Sequence, residues 1–140
     1  MSLGHLLLVD DEQQILRALR PALAAAGFEV ATAETGGEAL AHLASEACDV
    51  VILDLGLPDM DGKEVIGRIR EWSEVPILVL SARDLEHEKI AALDQGADDF
   101  INKPFGVEGS SSIFWRSWAT STRTNWASTW AAGPHTAAIS

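Results

Sequence analysis

The sequence predicts an α/β fold, a doubly wound five-stranded parallel sheet, and three observations carry that expectation. Short apolar runs alternate with segments of helical period. The runs are continuously apolar, as strands covered by helices on both faces are. Four of them lead into a residue suited to phosphate or a divalent metal: the pair Asp10 and Asp11, then Asp54, Ser81 and Lys103. In such sheets the crossovers are right-handed and ligands sit at the carboxyl ends of the strands. A chain of 140 residues with 47% hydrophobic content can bury one core.

Residues 6–9 form the first strand, Leu-Leu-Leu-Val, which is expected in the interior of the sheet. From Glu12 the apolar positions Ile15, Leu16, Leu19 and Leu23 recur at helical spacing, and Gly27 stands where a helix ends on a left-handed residue. Residues 28–33 read as the second strand. After the Gly36-Gly37 turn, Glu38, Ala39, Leu40 and Leu43 begin a second helix. Residues 50–53 are the third strand, ending at Asp54, and Leu57-Pro58-Asp59-Met60-Asp61-Gly62 carries the turn that follows. Asp61 and Glu64 make a capping pattern for a third helix that buries Val65, Ile66 and Ile69 and stops near Trp72. Pro76 opens the fourth strand, 77–80. The fourth helix starts near Leu85, with Ile90, Ala91 and Leu93 on one face and Gly96 after its end. Residues 99–102 are a short fifth strand.

The pattern breaks after Glu108. Residues 109–140 hold none of the 21 acidic residues but four of the five tryptophans, and twelve of these 32 residues are Ser or Thr. Their apolar positions follow neither period. The domain is therefore drawn at residues 4–108, with 109–140 as an atypical Ser/Thr/Trp-rich tail.

A net charge of −11 argues against unaided binding to nucleic acid or an anionic membrane, and calls for a cation. The single Cys48 has no disulfide or zinc spacing and is expected as a small core residue, which suits a reducing cytoplasm. No apolar run is long enough for a secretory core or a membrane span.

Carboxylates converging at one edge repel each other, and a hard divalent ion relieves that repulsion. Magnesium takes one or two protein carboxylates and keeps water and phosphate oxygens as its other ligands. Asp11 and Asp54 are the expected direct ligands, with Asp10 acting directly or through water, and the Gly56 backbone carbonyl is placed to add another. An aspartate can then attack a phosphoryl group and become an acyl phosphate. Asp54 is the expected acceptor, with Lys103 and Ser81 each taking one phosphoryl oxygen, since this chemistry asks mainly for positioning and charge stabilisation.

Asp10-Asp11, Leu53-Asp54 with residues 57–62, Ser81-Ala82 and Lys103-Pro104-Phe105 together resemble the receiver domain of bacterial two-component response regulators. The resemblance covers about residues 6–108. Residues 96–100, Gly-Ala-Asp-Asp-Phe, before Lys103-Pro104-Phe105 resemble the branch with a winged-helix DNA-binding output. The resemblance implies a flavodoxin-like receiver that takes a phosphoryl group from a sensor histidine kinase onto Asp54 with Mg2+ bound. It also implies that Ser81 is the switch hydroxyl, Phe100 the switch aromatic and Lys103 the phosphate-contacting lysine. Such a domain catalyses only its own phosphoryl transfer. An aspartyl-nucleophile phosphatase would need an acid two residues after Asp54, where this chain has Gly56. A flavodoxin-like flavin carrier would need Ser, Thr and Gly in the first loop, where Asp10, Asp11 and Glu12 stand.

Receivers of this class end in an amphipathic fifth helix whose arginines pair across a homodimer with acids such as Asp98 and Asp99. Beyond Glu108 only Arg116 and Arg123 occur, in unrelated surroundings, so that helix reads as missing or replaced. The usual dimer mode and direct DNA binding by this chain are not expected. Either Trp, Phe and Ile residues of the tail, such as those in 113–118, cover the sheet face left bare, or apolar surface stays exposed there and drives self-association. The abrupt change of composition implies a shifted reading frame or a cloning junction near Gly109. Sequencing the parent gene tests this: a different frame after Glu108 is expected, and an intact frame encoding the same tail would refute it.

Overall fold

The computed structural model describes residues 3–81 and 86–102, together with residues 112, 113, 115 and 116. Its order is β1 (Gly4–Val9), α1 (Gln13–Ala26), β2 (Phe28–Ala33), α2 (Gly36–Ser45), β3 (Val50–Asp54), α3 (Gly62–Arg70), β4 (Ile77–Ser81), α4 (Glu86–Gln95) and β5 (Asp99–Asn102). The strands form one parallel sheet in the order β2-β1-β3-β4-β5. The chain steps from β1 outward to β2, then recrosses β1 to reach β3, so winding reverses between β1 and β3. That reversal opens a crevice at the carboxyl ends of the two strands.

The pleat divides each central strand between two cores, because successive side chains point to opposite faces. Leu7, Val9, Val51, Leu53, Ile77 and Val79 pack with α2, α3 and Ala92 of α4. Leu6, Leu8, Val50, Ile52, Leu78 and Leu80 pack with Leu16, Leu19 and Leu23 of α1. Both faces of residues 6–9, 50–53 and 77–80 are thus dry, which is why these stretches of β1, β3 and β4 are apolar without interruption.

Trp115 completes the α1-side core. It is 0% exposed and lies in the cluster with α1 and the sheet, whereas Ile113 points outward at 79% exposure. Residues 112, 113, 115 and 116 are helical. Phe114 and Trp118, also expected to cover this face, lie outside the described residues.

The helix termini follow local chemistry. Gly27 ends α1 at φ 121°, a conformation that costs a residue with a Cβ. Helix α2 begins at Gly36, two residues before the expected Glu38. Thr35 caps it by accepting the Glu38 N–H at 3.0 Å, and the Glu38 carboxylate reaches back to the Glu34 N–H at 3.2 Å. Asp61 caps α3 by accepting the Lys63 N–H at 2.8 Å. Glu64 does not close the expected box, because it pairs with Arg68 one turn along at 2.9 Å. Helix α3 ends at Arg70 rather than near Trp72, whose ring is exposed.

Helix α4 departs most from the sequence expectation. Ile90 and Leu93 are 54% and 40% exposed, while Ala92 and the carboxylate residue Glu88 are buried. Its inward face is set by polar partners. Lys63 Nζ donates to Glu88 Oε2 at 2.6 Å, and Arg70 Nε donates to the Gly96 carbonyl at 2.9 Å. Arg70 Nη2 also reaches Asp98 Oδ2 at 3.1 Å, so Asp98 is engaged within the chain. Among the described residues no helix is long and apolar enough to cross a membrane.

Removing the buried indole leaves a cavity that a folded sheet refills only in part. Trp115→Ala is expected to destabilise the protein by about 3–5 kcal/mol in urea unfolding, whereas Ile113→Ala changes the midpoint little.

Candidate phosphoacceptor and metal site

Asp10 is the first residue beyond β1, and Asp54 is the last of β3. Because Val9 pairs with Leu53, the register sets the two aspartates side by side at the switch point. Asp10 is 0% exposed, its N–H donates to the Ala33 carbonyl at 3.0 Å, and its Oδ1 accepts the Glu12 N–H at 2.9 Å. Asp54 is buried as well, and Asp11 is exposed at the rim. One carboxylate oxygen from each of Asp10, Asp11 and Asp54 lies within 4.8 Å of the others.

Two like unit charges 4 Å apart repel by about 4 kcal/mol at an effective dielectric of 20, and a bound cation would reverse the sign of that energy. The donors are all carboxylate oxygens, the set that hard divalent ions prefer, and the exposed Asp11 leaves one side of the cluster open to water. These residues fit a magnesium ion.

The loop after Asp54 is drawn tight around its carboxylate. The Leu55 N–H donates to the Leu80 carbonyl at 3.3 Å, the Gly62 N–H donates to the Leu55 carbonyl at 2.9 Å, and Gly56 bridges to Asp61. Gly62 has no room for a side chain: a Cβ would stand 2.6 Å from Leu55 Cα and 2.8 Å from the Asp54 carbonyl oxygen. Gly56 is exposed and lies beside Asp54, since a Cβ there would stand 3.9 Å from Asp54 Oδ2.

Ser81 ends β4, one step beyond Leu80, the register partner of Asp54. It pairs in turn with Asn102, the last residue of β5. The backbone therefore brings Ser81 to the same edge, while the Ser81 side chain and Lys103 lie outside the described residues. Phe100, on β5, is half-buried against the α2–α4 side core, and its N–H donates to Asp99 Oδ1 at 2.8 Å.

Two connections near this edge escaped the reading of the sequence. Lys63 links α3 to α4 through Glu88 and stands 3.8 Å from Asp61. Asp59 accepts the N–H groups of Gly36 and Gly37 at 2.8 and 2.9 Å, and these two bonds hold its carboxyl below the ordinary aspartate range. The signal for the second was present in Gly36-Gly37, two small residues that open a helix with their amides accessible.

Fold and site together define a signalling domain, and comparison with known proteins gives its family. The chain belongs to the response regulator receiver domain family, whose model matches residues 6–110. It is 55% identical over 102 residues to the transcriptional regulatory protein KdpE of Mycobacterium tuberculosis, an alignment covering 73% of this chain and 45% of that protein. It is 54% identical over 103 residues to the KDP operon transcriptional regulatory protein KdpE of Escherichia coli, covering 74% of this chain and 46% of that one. The chain thus spans about half the length of these relatives. Among solved structures, the chemotaxis response regulator CheY4 of Vibrio cholerae superposes with a TM-score of 0.73 at 34% identity, over 81% of this chain and 97% of that one. The chain carries the receiver portion of a two-component response regulator, which sets aside the phosphatase and flavin-carrier alternatives.

Cys48 is half-buried against the α2–α4 side core, and its Sγ lies 3.2 Å from the Val50 carbonyl. Burial pushes its thiol up to about 11, the opposite of an activated nucleophile. In the native protein at neutral pH its alkylation by iodoacetamide is expected to run roughly a hundredfold slower than that of an unperturbed thiol, with the ordinary rate restored in urea.

Proposed function

We propose that Asp54 is the phosphoryl acceptor and that Asp10, Asp11, Asp54 and the Gly56 backbone carbonyl hold Mg2+. The observation that carries this reading is the convergence of the Asp10, Asp11 and Asp54 carboxylates within 4.8 Å at the switch point of the sheet. The donor is a phosphohistidine on a sensor histidine kinase. An Asp54 oxygen forms the new P–O bond as the P–N bond breaks, and the electron pair leaves with the imidazole, which takes a proton from solvent. Magnesium, when bound, draws charge from the equatorial phosphoryl oxygens and offsets the repulsion among the carboxylates.

The protein's own residues supply position and selectivity. The strands fix Asp10 and Asp54 at neighbouring tips, so the acceptor oxygen is held in place before the phosphoryl group arrives. Lys103 pairs with one phosphoryl oxygen and Ser81 donates to another. Movement of Ser81 toward the phosphoryl group vacates space for Phe100, which makes a two-state element of β4 and β5. The chain acts as a signalling module that catalyses its own phosphorylation, not as an enzyme with a separate substrate.

Residues 4–108 form the receiver unit, and 109–140 a Ser/Thr/Trp-rich segment that lends Trp115 to its core. The relatives named transcriptional regulators support a role in transcription control within the cytoplasm. The charge of −11 makes direct DNA contact an unsuitable task for this domain. Homodimerisation through the face of α4 and β5 is open to the domain only in a form that does not use the family's fifth-helix arginines.

Incubation with acetyl phosphate and magnesium is expected to add one phosphoryl increment to the intact mass, and beryllofluoride with magnesium to bind at the same site. Asp54→Asn should abolish both. Unchanged beryllofluoride binding by that variant would show the acceptor to be elsewhere.

A further inference from the structure

Asp59 lies in the loop of residues 55–61 that joins β3 to α3. Its carboxylate spans the first two amides of α2, Gly36 at 2.8 Å and Gly37 at 2.9 Å, while Thr35 takes the third at Glu38. Three donors that a helix start otherwise leaves to water are thus satisfied, two of them by a residue 22 or 23 positions away. A carboxylate suits this place because the helix macrodipole is positive there and charge-assisted bonds are the stronger kind.

The neighbouring residue tightens the same joint. A Cβ on Gly36 would stand 2.5 Å from Met60 Cγ and 2.6 Å from Met60 Sδ, so the Met60 side chain lies directly over the start of α2. The ends of the loop are pinned by the Gly56 bridge to Asp61 and by the Gly62 N–H on the Leu55 carbonyl. Gly56, beside Asp54 Oδ2, is thus tied on one side to Asp61, and Asp59 anchors the outer arm of the same loop to a different helix.

We infer that Asp59 is a positioning residue for the divalent-cation site: by clamping the loop onto the α2 amides it holds Gly56 in place before the ion binds. This rests on the assignment of Asp10, Asp11 and Asp54 as the cation site. A backbone ligand on an untethered loop must be ordered by the ion itself, and the lost chain entropy then weakens binding. Residues that orient metal ligands typically change affinity by 10–100-fold when removed. Because Asp59 acts on one of several ligands, an effect of about tenfold is expected.

The test is magnesium titration of the whole chain by isothermal calorimetry in about 0.5 M KCl, where long-range charge effects are screened. Asp59→Ala is expected to weaken magnesium binding about tenfold. Gly37→Pro keeps the Asp59 charge but removes one amide donor and sets a ring carbon where its hydrogen met Asp59 Oδ2, within the first helical turn where proline is tolerated; it should also weaken binding. At saturating magnesium, acetyl phosphate should still phosphorylate both variants on Asp54, which separates loss of positioning from loss of fold. If the unsubstituted chain binds magnesium and both variants bind it equally well, the clamp plays no part and the cation site stands. If the unsubstituted chain binds none, the cation site falls and the clamp with it. Should Asp59→Ala fail to fold, Gly37→Pro decides the question.

Discussion

Two carboxylates must be kept at adjacent strand tips against their own repulsion, and the rest of the domain depends on that constraint. Asp10 and Asp54 are buried where water cannot screen them well, with Asp11 close by. The restoring force comes from below. β1 and β3 are dry on both faces, and their register cannot slip by one residue without turning every apolar side chain to the wrong core. Hydrophobic burial along the strands thus holds an electrostatically unfavourable arrangement at their ends, and the unfavourable term is what a cation can relieve.

The two faces of the sheet are sealed in different ways. On one side α2 and α3 lay broad apolar surfaces against β1, β3 and β4. On the other, α1 is joined by Trp115, one large side chain at full burial. An indole can remove roughly as much apolar area from water as several small side chains do, so Trp115 by itself adds a large apolar surface to this core.

Much of this was legible in the sequence, and the reasons differ from element to element. The strands stood out because residues 50–53 and 77–80 lack any polar interruption, and the aspartates stood out because each directly follows such a run. Helix α4 was misread because Ile90 and Leu93 look like core residues by composition. Its orientation is fixed by Lys63 and Arg70, 25 and 26 positions before their partners Glu88 and Gly96, and no local period encodes that. The start of α2 was misplaced because two glycines resemble a turn, although Thr35 with Glu38 carries a capping signal. The Asp59 contact joins residues far apart in sequence and emerges only once α2 and the β3–α3 loop are folded together. Packing also reaches past the change in composition at Glu108, since a tryptophan's burial depends on the space waiting for it rather than on its neighbours in the chain.

The thin attachment of α4 carries a mechanical consequence. A helix seated on a wide apolar face resists displacement because any shift exposes surface to water, and that resistance varies little with ionic strength. Among its described residues α4 sets mainly Ala92 into the core, while Lys63 holds Glu88 near its start and Arg70 holds the Gly96 carbonyl just past its end. Moving it exchanges protein partners for water at modest net cost and disturbs the sheet hardly at all. The domain thus behaves as a stiff plate with one soft hinge-pin, whose stiffness responds to ionic strength more than that of the helices seated on apolar faces.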